Sequence, residues 1–182
     1  MKRFIFSAIM SFSAVCRVSA DTQAFWFTSE STGSEFDLMG QVYAISENGE
    51  YAVITDDEMN ECYLWCLSNP GVLKSMVWEE EGRRVPLELR GVSNEGMVAG
   101  SYRPYQSNAW VPFVQTLTGE RMKLPVPSDS RNMNYPCAVS GDGGIVGGYI
   151  GNKHGQSHPV IWHRNAAGEY ELDYNKDLRL TH

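Results

Sequence analysis

The sequence predicts an all-β protein: a partial or open β-propeller-like array of about three 47-residue blades, each made of short antiparallel strands. Three observations carry the prediction. A Ser-x-x-Gly block recurs at Ser46–Gly49, Ser93–Gly96 and Ser140–Gly143, with a spacing of 47 residues each time. An aromatic-rich run follows each block after a polar loop, and a further glycine follows each run. A period of this length means one supersecondary unit copied in tandem, with neighbours burying a shared core. Blades of about 40–50 residues fit it, whereas solenoid turns of about 20–29 residues do not.

The elements follow in order within each unit. Apolar Ile45, Val92 and Val139 lead into the blocks, so hairpins start near residues 44, 91 and 138. Gly49, Gly96 and Gly143 are expected to supply the positive φ of a tight turn. Ser46, Ser93 and Ser140 are expected to bond backbone N–H groups across it. These six are structural turn residues, because no histidine or acid recurs at an offset that would make the serines nucleophiles. The second strands hold Ala52, Ala99, Gly100, Gly147 and Gly148, small residues that mark close approach of another backbone. The third strands are the aromatic runs Cys62–Trp65, Ala109–Phe113 and Pro159–Trp162, and the fourth strands follow Gly71, Gly119 and Gly168. A lone aromatic run, Ala24–Phe27, stands near the N-terminus without a block ahead of it.

The ends carry their own signals. Lys2 and Arg3, the apolar stretch to Val15 and the small-residue site Val18-Ser19-Ala20 come in signal-peptide order, so residues 1–20 read as a signal and 21–182 as the repeat domain. Export to the periplasm or the exterior follows. Lipid anchoring at Cys16 is disfavoured by the Ser-Ala-Val that precedes it. Loss of Lys2, Arg3 and Arg17 would take the net charge from −7 to −10, which argues against nucleic acid and anionic membranes as partners. No stretch after residue 20 has the length and apolarity of a transmembrane segment. Three hairpins are fewer than the four to eight blades of typical propellers. The sequence also stops part way through a unit at Leu178–His182, so truncation at the C-terminus is the expectation.

Candidate chemistry is sparse. Cys62 and Cys66 would lie about 13 Å apart along a strand, too far for a disulfide, and with Cys137 they read as buried thiols. The state of all three stays open, and Cys137 could pair only if the blades bring it close. His154, His158 and His163 read as surface imidazoles, with His158 and His163 on opposite faces of a strand. Asp56-Asp57-Glu58 reads as a solvated acidic loop, since the corresponding loops of the other units carry no acids. Glu79-Glu80-Glu81 beside Arg83-Arg84 reads as an exposed connection of self-compensating charge. No metal site, no cofactor and no catalytic residue is assigned. Trp26, Trp65, Trp110 and Trp162 recur with the repeat and are assigned to packing. Tyr102, Tyr105 and Tyr149, expected on loops after the hairpins, are the ligand-binding candidates.

The unit Ala138-Val139-Ser140-Gly141-Asp142-Gly143, the Val146-Gly147-Gly148 strand and the Pro159–Trp162 strand resemble the secreted bacterial β-propeller-like repeats of the HAF extracellular type. Where that family has His-Ala-Phe, this chain has Gln23-Ala24-Phe25 and His158-Pro159-Val160. The resemblance spans residues 24–172 and implies no catalytic residue. Sialidase-type Asp boxes and WD repeats fit poorly, because the spacer before Gly143 and the Trp-Asp pairs are missing. The expected function is an exported, non-enzymatic binding or scaffolding module with a glycan or protein ligand. Its alternatives are a carbohydrate-active enzyme on the same scaffold and a remnant of a longer repeat protein.

Overall fold

A computed structural model describes residues 40–56, 61–69, 73–152 and 154–173, and no helix occurs among them. The signal region, Ala24–Phe27, Asp57-Glu58, Gly71 and Leu178–His182 lie outside the described residues. All elements are strands in antiparallel sheets. The first sheet is a meander of β1 (Gly40–Ile45), β2 (Tyr51–Asp56), β3 (Cys62–Cys66) and β4 (Leu73–Met76) in that order. A two-stranded hairpin follows, β5 (Trp78–Glu80) and β6 (Arg83–Val85). The second meander is β7 (Leu87–Val92), β8 (Val98–Tyr102), β9 (Val111–Gln115) and β10 (Arg121–Lys123). The third is β11 (Ser130–Val139), β12 (Ile145–Asn152), β13 (Ser157–Arg164) and β14 (Tyr170–Asp173). We call these meanders units 1 to 3.

Each Ser-x-x-Gly block joins the first and second strands of its unit. Gly49, Gly96 and Gly143 have φ of 70°, 75° and 71°, the left-handed region that a Cβ disfavours. Ser46 Oγ accepts from Tyr51 N at 2.9 Å, Ser93 Oγ from Met97 N at 3.1 Å and Ser140 Oγ from Ile145 N at 2.9 Å. Each hydroxyl thus satisfies a strand N–H that the turn would otherwise leave open.

The units are stacked side by side through two cores. In the first, Val53 and Leu64 of unit 1 join Leu87, Leu89, Val92 and Val98 of unit 2. The β5–β6 hairpin lays Trp78 on that core, its ring stacked 3.8 Å from Tyr102 and edge-on to Phe113. In the second, Met97, Ala99 and Val114 of unit 2 join Val146, Val160, Trp162 and Tyr170 of unit 3. Burying a Val, Leu or Phe side chain contributes about 1.5–3 kcal/mol, so these two cores are what hold the units in sequence.

The small residues of the second strands divide into two kinds. A Cβ on Gly100 would stand 2.1 Å from the Glu88 carbonyl oxygen, and one on Gly148 would stand 2.2 Å from that of Tyr135. The close backbone belongs to the first strand of the same sheet. Gly147, by contrast, has nothing within 4 Å. Contact between units instead falls on Gly91, whose Cβ would meet Val139 and the Ala138 backbone. The charged Glu79–Arg84 connection is an ordered hairpin, not a plain loop. Glu81 and Gly82 both have positive φ at its turn, and Glu79 and Glu80 pair with Arg84 and Arg83 across it.

Candidate binding groove

The first strands of the three units carry a bulge at the same repeat position. Register shifts fall between Val42 and Ala44, between Leu89 and Gly91, and between Pro136 and Ala138, which leaves Tyr43, Arg90 and Cys137 unpaired. These residues are 47 apart, three places before each turn serine. A bulge re-aims a side chain and bends its strand, and bulges concentrate next to functional sites. The bulges also account for the glycines, because Gly100 and Gly148 pair with Leu89 and Pro136, the residues just before the bulge.

Arg90 is the centre of a cluster. Its Nε and Nη2 donate to one oxygen of Glu88, at 3.0 and 2.7 Å. The guanidinium lies over the Tyr135 ring, 4.6 Å from its centroid, and reaches the side chains of Cys137 and Tyr149. Tyr135 tilts against Tyr149 at 5.4 Å and against Trp110 at 5.6 Å. The exposed Arg103 covers the outer face of that system, 5.6 Å from the Trp110 ring. The result is a continuous ladder, Arg103–Trp110–Tyr135–Tyr149, with the Arg90–Glu88 pair at its foot. Backbone ties hold it: Trp110 N donates to Asn132 O at 3.0 Å, and Asn134 Nδ2 donates to Trp110 O at 2.9 Å. Beside Trp110 opens a cleft of about 450 Å³ whose walls include Lys123, Leu124, Ser128, Ser130 and Asn134.

Burial dominates the titration of the ladder's phenols. Burial pushes the Tyr135 phenol up to about 12, and the Glu88 charge adds to this while Arg90 opposes it. Burial likewise raises the Tyr149 phenol, against the pull of Arg90. Burial lowers the Arg90 guanidinium, but the hydrogen bond and charge of Glu88 outweigh it and the net shift is upward. Glu88 is committed as a counter-ion. The cluster therefore offers flat rings, phenolic donors and an exposed cation, a set suited to holding a polar ligand.

The tyrosines expected at a ligand site separate. Tyr149 lies in β12 and belongs to the ladder. Tyr105 is exposed on the β8–β9 loop, its ring under Arg83 at 4.6 Å and its N–H on Glu80 Oε2. Tyr102 is the last residue of β8 and only 1% exposed, stacked on Trp78, so the core takes the ring that the sequence placed on a loop. Trp162 is fully buried, and its Nε1 donates to Pro125 O at 2.7 Å. Trp110, from the same recurring set, is half-buried and lines the cleft. Cys62 is buried and donates to Leu87 O, whereas Cys137 is exposed rather than buried as expected. His158 meets Asn152 Nδ2 at 3.0 Å, and no metal-holding group of histidine, cysteine and acid side chains occurs among the described residues. Sequence reading passed over Arg90, Glu88 and Tyr135. The signal that points to Arg90 is its place in the 47-residue register, a charged residue within the apolar lead-in to a turn.

No family model and no curated protein matches the sequence.

Proposed function

We propose that this chain is an exported, non-enzymatic glycan-binding module built as a propeller-type array. The array reading rests on the repeats, on the three four-stranded meanders stacked in sequence, and on the resemblance to HAF-type extracellular repeats. Export rests on the signal-like order of residues 1–20. One observation carries the binding reading: the ladder of Arg103, Trp110, Tyr135 and Tyr149 beside a mostly apolar cleft edged by Lys123, Ser128, Ser130 and Asn134. Sugar rings stack on aromatic faces while their hydroxyls take hydrogen bonds from side chains such as Lys123, Ser128 and Ser130.

The phenols of Tyr135 and Tyr149 are available as hydrogen-bond donors to a polar ligand. A glycan panel followed by titration calorimetry tests the reading. Trp110→Ala and Tyr149→Ala are each expected to weaken binding about 10-fold or more, with the thermal midpoint tracked alongside as a check on the fold. Binding unaffected by either substitution would overturn the site. Hydrolysis of a panel member, lost in Glu88→Gln, would overturn the non-enzymatic assignment.

A further inference from the structure

Among the described residues, one side-by-side contact is made twice and each half of it is left exposed once. In the contact, the first strand of a unit packs against the first three strands of the unit before it, the second most of all. Leu89 and Val92 of β7 are 0% and 5% exposed in the core they share with Val53 and Leu64. Val139 of β11 packs in the same manner into the core that holds Met97, Ala99 and Val114.

Strand β1 carries the same half with no unit before it among the described residues. By register, Val42 and Ile45 occupy the places of Leu89 and Val92, since Val42 opposes Ile54 as Leu89 opposes Gly100, and Ile45 opposes Ala52 as Val92 opposes Val98. They are 51% and 47% exposed. Unit 3 carries the receiving half. Ile161 pairs with Gly147 as Val114 pairs with Ala99 and Leu64 with Val53. Leu64 and Val114 are 3% and 0% exposed, but Ile161 is 43% exposed and Ile145, the counterpart of Met97, is 47% exposed. Gly147 lies between them over open space.

We propose that two copies of this chain associate head to tail, with β1 of each seated on the β12–β13 face of the other. The occupant follows from continuity with the internal contact: a second copy brings, in β1, the strand whose counterparts β7 and β11 already fill that seat. Two such contacts related by a two-fold axis make a ring of six units, inside the range of about four to eight for propellers. Ring formation also covers the faces that an open array would leave to indiscriminate association. This inference rests on packing between units and is independent of the glycan reading.

Sedimentation velocity on the exported protein tests it. A dimer is expected, and Ile161→Glu or Val42→Lys is expected to raise its dissociation constant about 100-fold or more, because each buries an unpaired charge at both contacts. Both side chains are solvent-exposed within one copy, so the thermal midpoint of the dissociated protein should hold; Ile145→Glu is the second variant if Ile161→Glu does not fold. Mixing the Val42→Lys and Ile161→Glu proteins should restore dimers, since one contact becomes Lys against Glu and the other is unaltered. A monomer at tens of micromolar, whatever covers the two faces, would overturn the proposal. So would a dimer that survives both substitutions, or a mixture that fails to reassociate.

Discussion

The two ends of the first strands are built on opposite principles. At one end the three Ser-x-x-Gly turns gather. Asn94 of the second turn accepts from Asn48 N at 2.9 Å through its Oδ1 and donates its own N–H to Gly141 O at 2.9 Å, linking all three. A Cβ on Gly141 would stand 2.4 Å from Asn94 Nδ2 and 3.0 Å from Glu47 Oε2, so the glycine makes room where the turns converge. Towards the other end lie the bulges and the ladder of arginines and aromatic rings. Turn residues recur because every unit must solve the same backbone problem. Of the ladder, only Trp110 recurs with the repeat, while Arg90, Tyr135 and Tyr149 each do something different. Repetition here marks scaffold, and its breakdown marks the candidate site.

The sharpest way to break this comparison lies within one strand. Gly147 and Gly148 are neighbours in β12 and pair with the two residues that flank the bulge, yet only at Gly148 would a Cβ meet the backbone of the partner strand. Gly148→Val would drive a branched side chain into Tyr135 O, the Pro136 Cα and the Trp162 ring. A loss of about 3 kcal/mol or more is expected in chemical denaturation, since backbone cannot give way as a side chain can. Gly147→Ala should stay within about 0.5 kcal/mol of the parent. Equal losses at the two positions would mean that the bulge does not set the strand spacing.

This pair also shows what was legible in the sequence. The period, the hairpins, the turn glycines and the strand order of each unit could be read, because each rests on local chemistry repeated three times. That glycines mark close backbone approach was readable too, but which backbone approaches was not, since bulges leave no residue signature of their own. The β5–β6 hairpin was missed although Glu81-Gly82 sits between Trp78 and Val85, because five charges around one glycine read as a solvated loop. Tyr102 was misplaced for the complementary reason: a tyrosine at a strand end reads as exposed unless the partner ring, Trp78, is known to lie on it. The ladder depends on spacings of 25 (Trp110 to Tyr135) and 14 (Tyr135 to Tyr149) that match no period.

A second prediction uses pH to separate the two ends. Tyr135 ionises at about 12 in the folded protein against an ordinary value of 10.0, owing mainly to burial. A group raised in this way contributes stability that is fully present below the unfolded value and lost as pH climbs through the folded one. The protein should therefore lose stability between about pH 10 and 12, with Tyr149 and Tyr170 adding in the same direction. In Tyr135→Phe this alkaline loss should shrink while stability near pH 7 changes little. An unchanged alkaline slope in the variant would place Tyr135 in contact with water instead of under Arg90.

The smallest expected effect tests the turn cluster. Asn94→Ala removes the acceptor of Asn48 N, an exposed hydrogen bond between turns. It leaves in place the backbone bond from residue 94 to Gly141 O. A net loss of about 0.5–1.5 kcal/mol is expected for one such bond, towards the lower end because water can replace the partner. Its distribution is more telling than its size. Hydrogen exchange should quicken at Asn48 N and its neighbours in the first turn, while amides of the Arg90–Tyr135 ladder keep the parent's rates. Quickened exchange at both ends of the first strands would mean that the turns and the groove open as one unit, and the separation drawn between scaffold and site would fail.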